Sequence, residues 1–298
     1  MSTEIPCPPP RAAATALAAS LPADACDTHA HVFGPVERYP YQAERDYTPP
    51  DAPLDNLLRL HETLGITRGV LTQPSVLGTD NRAILDAVAR FPERLRAVVA
   101  FGSGTTEQAI DQMHAAGARG LRLNLVDRGG MPFASFAELY NVVDMIAERG
   151  WHVELLATAH QMESIEPHLD KLSVDISLGH YGYMPTSRGV SDAGFQRLLG
   201  LMRDGKAWVK MTAGYRITEH VQTPYGDVRP YAEALLEAAP ERVLWGSDWP
   251  HVMCRIDMPD DGVMLGEVQS WLRADAALAQ RIFVDNPASL YDFPGRTG

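Results

Sequence analysis

Eight short apolar runs, each followed by a longer amphipathic stretch, limit what this chain can fold into more than any other feature. The runs read as strands near Cys26–Phe33, Arg68–Gln73, Leu95–Ala100, Gly120–Leu125, His152–Ala157, Val174–His180, Ala207–Ala213 and Val243–Ser247. Between them a 3.6-residue period marks helices over Asp55–Leu64, Asn81–Phe91, Thr106–Ala116, Ser135–Arg149, His160–Leu169, Ser191–Arg203, Arg229–Ala238 and Val263–Ala274, with a final helical stretch over Asp275–Val284. Strands alternating with helices require a parallel sheet, and eight such units predict a closed (β/α)8 TIM barrel, one domain over residues 26–298. A doubly wound open sheet shares the alternation but wants a glycine-rich phosphate turn after its first strand. Here the first strand leads instead into His31-Val-Phe-Gly-Pro35 and a polar loop through Asp51-Ala-Pro53, suited to a lid or pocket wall at a barrel mouth. Residues 1–25, with Pro8-Pro9-Pro10 and the alanine-rich Arg11–Ser20, read as a flexible lead-in rather than a cleaved signal.

Charge and cysteine usage narrow the function. Against 38 acidic residues stand 26 Lys and Arg, for a net charge of −12, and no basic cluster appears that could neutralise phosphates. Nucleic acid is excluded as a partner; a small anionic substrate is not, because a local pair of arginines overrides the average field. Cys7, Cys26 and Cys254 have neither zinc-ribbon spacing nor a close pair, which fits a reducing cytoplasm. No apolar run reaches the roughly 20 residues of a membrane span. Oligomerisation is left open.

In a barrel the site forms where strands end. His29 and His31 lie two apart late in the first strand, so both imidazoles face one way. Gln73 and Ser75 close the second run, Arg122 and Asn124 alternate inward on the fourth, His180 ends the sixth and Asp248 ends the eighth. Three imidazoles and a carboxylate suit either of two chemistries. One is a single divalent metal, Zn²⁺ first, bound by His29, His31, His180 and Asp248 with a position open for water. The other needs no cofactor: the histidines donate to an oxygen gaining negative charge while Asp248 takes a proton from water. Arg122, Arg128 and Arg216, on or just after strands four and seven, are placed to clasp a carboxylate. Tyr47 in the first loop can reach over the mouth, and His251 can sit behind Asp248 as its partner. His152, at the opposite end of its strand, reads as structural. His61, His114, His160, His168 and His220 read as solvated helix or loop residues.

Several runs together resemble the amidohydrolase superfamily: Asp27-Thr-His-Ala-His-Val-Phe-Gly-Pro35, Gln73-Pro-Ser-Val-Leu-Gly-Thr-Asp-Asn81, Gly120-Leu-Arg-Leu-Asn124, Gly150-Trp-His-Val153, Gly179-His180, Trp245-Gly-Ser-Asp-Trp-Pro-His251 and Asn286-Pro287. They are similar to the branch holding pyrone dicarboxylate lactonases, sulfomuconolactone hydrolases and galactarolactone isomerases. The resemblance implies a hydrolase that opens a small carboxylated lactone in the breakdown of aromatic acids. In it Asp248 activates water, and His29, His31 and His180 polarise the carbonyl. Arg122, Arg128 and Arg216 would hold carboxylates, with hydrogen bonds from Ser75 and Tyr47. It implies that no cofactor is required, with zinc the alternative, since the branch contains both cases. The chain departs from the pyrone lactonases late in strand five, where His152-Val-Glu-Leu-Leu-Ala157 lacks a tyrosine, and no lysine ends strand four to build a carbamylated binuclear centre. A metal-dependent decarboxylase of an aromatic or muconate-type acid, and a barrel that only binds a carboxylate, are the competing readings. Asp248 speaks against the last, because a buried carboxylate has little use in holding an anion.

Overall fold

A computed structural model describes residues 5–158, 161–272 and 274–294. All eight expected strands form: β1 Cys26–Ala30, β2 Arg68–Thr72, β3 Leu95–Val99, β4 Ala118–Asn124, β5 His152–Leu156, β6 Ile176–Leu178, β7 Ala207–Thr212 and β8 Val243–Gly246. Each pairs in parallel with the next in sequence, from β1 to β8. Nearly every strand residue is buried, as expected where one face packs on the barrel interior and the other on a layer of helices. Hydrogen bonds from Thr28 Oγ1 to the Trp245 carbonyl (2.7 Å), from Asp248 N to the His29 carbonyl (2.8 Å) and from His31 N to the Trp249 carbonyl (2.8 Å) draw the last strand against the first. This seam requires Gly246, where an added Cβ would lie 2.7 Å from His29 N.

The helices follow from local chemistry. Leu54–Leu64 buries Leu54, Leu57, Leu60, His61 and Leu64 along one face and ends at Gly65, whose φ of 72° is the left-handed turn glycine adopts freely. Thr106, Asp192, Asp260 and Asp275 each accept a backbone N–H at the start of the helix that follows. Two elements differ from expectation. The sixth strand stops at Leu178 because His180 and Tyr181 turn into positive φ, and the helix expected over Asp275–Val284 is Ala276–Gln280 running into a π-turn at Arg281–Asp285, then Asn286–Tyr291. His160, expected to open a helix, lies outside the described residues.

Before β1 the chain lies against the barrel. Ile5–Pro6 pairs with Tyr47–Thr48 of the first loop, Arg11 donates to the Met258 carbonyl (2.8 Å), and Thr15 N and Oγ1 both donate to Asp260. Among the described residues no helix is long and apolar enough to cross a membrane.

Candidate active site

The deepest polar layer sits inside the barrel, in the middle of strands that are otherwise apolar. Glu154 of β5 accepts from Lys210 of β7 and, at 2.6 Å, from Arg122 NH1 of β4; all three are buried. Burial alone would raise the Glu154 pKa, but Lys210, His29 and Arg122 outweigh it and hold the carboxyl well below the usual range. Lys210 also donates to the Thr28 carbonyl (2.8 Å), and its Nζ stands 3.3 Å from His29 Nδ1. Glu154 Oε1 is 3.3 Å from the same nitrogen.

Above this layer stand the three histidines and Asp248. His31 Nδ1 faces the Thr72 carbonyl at 2.7 Å, and a carbonyl only accepts, so Nδ1 carries a proton, and in the neutral tautomer this selects the lone pair is on Nε2, beside the cavity. His180 Nδ1 lies 2.8 Å from Thr212 Oγ1, which already accepts from His180 N and can send its hydroxyl proton to the ring. Burial, reinforced by Lys210, lowers the His29 pKa to about 4, and burial holds His180 well below the ordinary histidine value; both are neutral near pH 7. Asp248 splits its two oxygens. Oδ2 accepts from Tyr215 OH (2.5 Å) and Arg216 Nε (2.9 Å), while buried Oδ1 has no hydrogen-bond partner and lies 3.5 Å from His29 Nε2 and 3.6 Å from His31 Nε2. Burial would raise the Asp248 pKa, but Arg216 and the histidines hold it well below the carboxylate range, so it is ionised throughout the neutral region.

These groups open into a cavity of about 220 Å³. His29, His31, His180, Asp248, Arg122, Arg216, Asn124, Ser75 and Tyr47, all singled out in the sequence, line it together. Some of them are already engaged. Asn124 spends its amide on Asp127 Oδ2 (2.8 Å) and its oxygen on the backbone N–H groups of Val126 and Asp127, so it builds the loop more than it greets a ligand. Arg216 serves Asp248 and the Val252 carbonyl. Leu156 lines the wall late in β5 as an apolar surface.

Two expected contacts fall elsewhere. Arg128 is not among the lining residues: its Nε and backbone N hold Asp46 at 2.6 and 2.8 Å, its NH2 reaches the Arg45 carbonyl, and its side chain is 47% exposed. His251, within the loop after β8, does not line the cavity: it is buried, its backbone N donates to the Asp248 carbonyl at 2.8 Å, and its Nε2 lies 3.1 Å from Asp261 Oδ1. Nor is His61 solvated: it is fully buried, 3.1 Å from Asp27 Oδ2, because its helix turns that face inward. Glu154, Lys210, Tyr215 and Arg255 were missed by sequence reasoning. For the first two a signal was present, since a charge in the middle of a parallel strand must meet an opposite charge inside.

A divalent cation fits this donor set. Ligand atoms of His29, His180 and Asp248 lie within 4.8 Å of one another, and His29 Nε2 and Asp248 Oδ1 are both buried without a hydrogen-bond partner.

A (β/α)8 barrel with His-x-His on its first strand, a histidine after the sixth and an aspartate after the eighth defines an amidohydrolase. The chain matches the amidohydrolase family across residues 26–293, belongs to it, and is a hydrolase. It is 37% identical to the 4-sulfomuconolactone hydrolase of Rhizobium radiobacter over 96% of each chain. It is 35% identical to the 2-pyrone-4,6-dicarboxylate hydrolase of Comamonas testosteroni, covering 91% of each. Its fold superimposes on an Acinetobacter baumannii protein solved with citric acid bound and described as a probable 2-pyrone-4,6-dicarboxylic acid hydrolase, with a TM-score of 0.78 and 26% identity over 91% of this chain and 100% of that one.

Proposed function

We propose that this enzyme opens a small lactone bearing acidic groups by adding water to its carbonyl. The observation that carries the reading is Asp248 Oδ1, a buried, ionised carboxylate oxygen with no hydrogen-bond partner among the described residues, which lines the cavity beside the Nε2 atoms of His29 and His31. Water held there donates one proton toward Asp248 and the other toward the Nε2 lone pair of His31. As its oxygen attacks the carbonyl carbon, the proton passes to Asp248. The oxyanion then accepts from His180, which can present Nε2–H because Thr212 can donate to the Nδ1 behind it, joined by His29 in the tautomer whose Nδ1 accepts from Lys210 in place of donating to Glu154. Collapse breaks the ring carbon–oxygen bond, and Asp248 returns its proton to the leaving oxygen, so lactone plus water becomes the open-chain acid. A divalent ion held by His29, His180 and Asp248 would supply carbonyl polarisation and a more acidic water.

The names of the relatives and the arginines at the cavity support an anionic substrate, and three free cysteines support a reducing compartment. The test is hydrolysis of 2-pyrone-4,6-dicarboxylate and 4-sulfomuconolactone followed by ultraviolet absorbance, before and after exhaustive chelation. We expect one of them to be opened and substantial activity to survive chelation. Activity abolished by chelation and restored by Zn²⁺ or Mn²⁺ makes the metal obligatory. CO₂ release from a muconate-type acid, with neither lactone opened, establishes the decarboxylase instead.

A further inference from the structure

One of the arginines expected to hold a substrate carboxylate is occupied elsewhere, and another stands at the cavity without a partner among the described residues. Arg128 gives its Nε, NH2 and backbone N to Asp46 and Arg45. Arg122 is committed to Glu154 and Arg216 to Asp248. Arg255, itself exposed, lines the cavity from the loop after β8 and makes no hydrogen bond or ion pair among the described residues.

Its place is nonetheless built. The backbone leading to it passes through positive φ at Asp248, His251 and Met253, conformations that non-glycine residues hold only where their surroundings impose them. Arg216 NH2 pins the Val252 carbonyl at 2.8 Å, Met253 N donates to Cys7 Sγ at 3.3 Å, Cys254 N donates to the His251 carbonyl at 3.2 Å, and Asp257 N reaches the Val221 carbonyl at 3.4 Å. An anchored backbone on both sides of an unspent guanidinium is an arrangement ready for a ligand: little main-chain freedom is lost on binding, and the charge needs no prior partner to be broken. Arg122 is buried and, although NH1 serves Glu154, its Nε has no hydrogen-bond partner among the described residues, while Arg255 is exposed, so a ligand with two acidic groups, one inward and one outward, meets a guanidinium at each end.

We propose that Arg255, in place of Arg128, holds the outer acidic group of the substrate and sets the preference for doubly anionic lactones. This rests on the lactone reading above. The test compares the wild type with Arg255→Met, Arg255→Lys and Arg128→Met on 2-pyrone-4,6-dicarboxylate and on the monoacid 2-pyrone-6-carboxylate, together with citrate binding by calorimetry, which needs no turnover. Loss of one charge-assisted contact is expected to raise the KM for the diacid and the Kd for citrate about ten- to hundredfold in Arg255→Met, with kcat changed less than about threefold. Arg255→Lys should recover part of the loss, Arg128→Met should change either constant less than about threefold, and the monoacid should respond little. Unchanged KM and Kd in Arg255→Met, or a larger loss in Arg128→Met, overturn the assignment even if lactones are opened. If no lactone is opened and citrate still binds more weakly to Arg255→Met, the anion site stands and the lactone reading falls.

Discussion

Asp248 shows how much one residue's surroundings decide. Its Oδ2 is neutralised by Arg216 and Tyr215, which lets a charge sit buried, while Oδ1 is left with nothing to accept from. Asparagine can keep its oxygen on Tyr215 and Arg216 and turn its amide toward the His31 lone pair, so the shape survives while the proton acceptor is lost. Asp248→Asn is therefore expected to lower kcat by roughly 10²–10⁴ with little change in KM. Single-turnover rates check this, and near-normal turnover would reassign the base to His31. At this scale the sequence was informative for His29, His31, His180 and Asp248, which needed only the two-residue alternation and the rule that strand ends make the site. It put Arg128 on the substrate and passed over Arg255, because whether a loop arginine finds a carboxylate depends on Asp46, 82 residues away in sequence.

Among the elements, the segment before β1 bears directly on the cavity. It pairs with Tyr47–Thr48 on one wall and is held by Asp260, beyond Met253 and Arg255, on the other. Gly262 permits this closeness, since a Cβ there would stand 1.7 Å from the Thr15 carbonyl oxygen. Gly262→Ala, at a helix position where alanine is otherwise favoured, should push the segment off and lower kcat/KM about tenfold while the melting temperature falls only a few degrees. Unchanged kcat/KM would show that the segment does not support the walls. The strands and most helices were legible because burial on two faces and on one stripe leaves different periods in the sequence. The short pairing of Ile5–Pro6 was not, because two residues carry no period and the bond is made with a distant loop.

The molecule as a whole carries its pH dependence in buried imidazoles. His29 and His152 both titrate near pH 4 in the fold against about 6.5 when unfolded, held down chiefly by burial, and burial shifts His180 the same way. A folded value below the unfolded one means the unfolded chain takes up protons first. Stability is thus level above pH 6.5 and is lost as the pH falls from 6.5 toward 4, by up to about 3 kcal/mol for each of these two groups. His152→Leu, at a site packed against Tyr291 away from the cavity, should flatten part of that limb. Thermal melts between pH 4.5 and 7.5 measure it, and a melting temperature constant across that range would contradict it. The sequence by itself determined the barrel, its strand order and the four residues at its centre, because these follow from short-range periods and from the rule that successive parallel strands lie side by side. Only the tertiary structure decided which charges are spent and which are free. Glu154 binds Arg122 and Lys210, Asp46 takes Arg128, and Arg255 has no such partner among the described residues, since each of those pairings joins segments that meet only when the barrel closes.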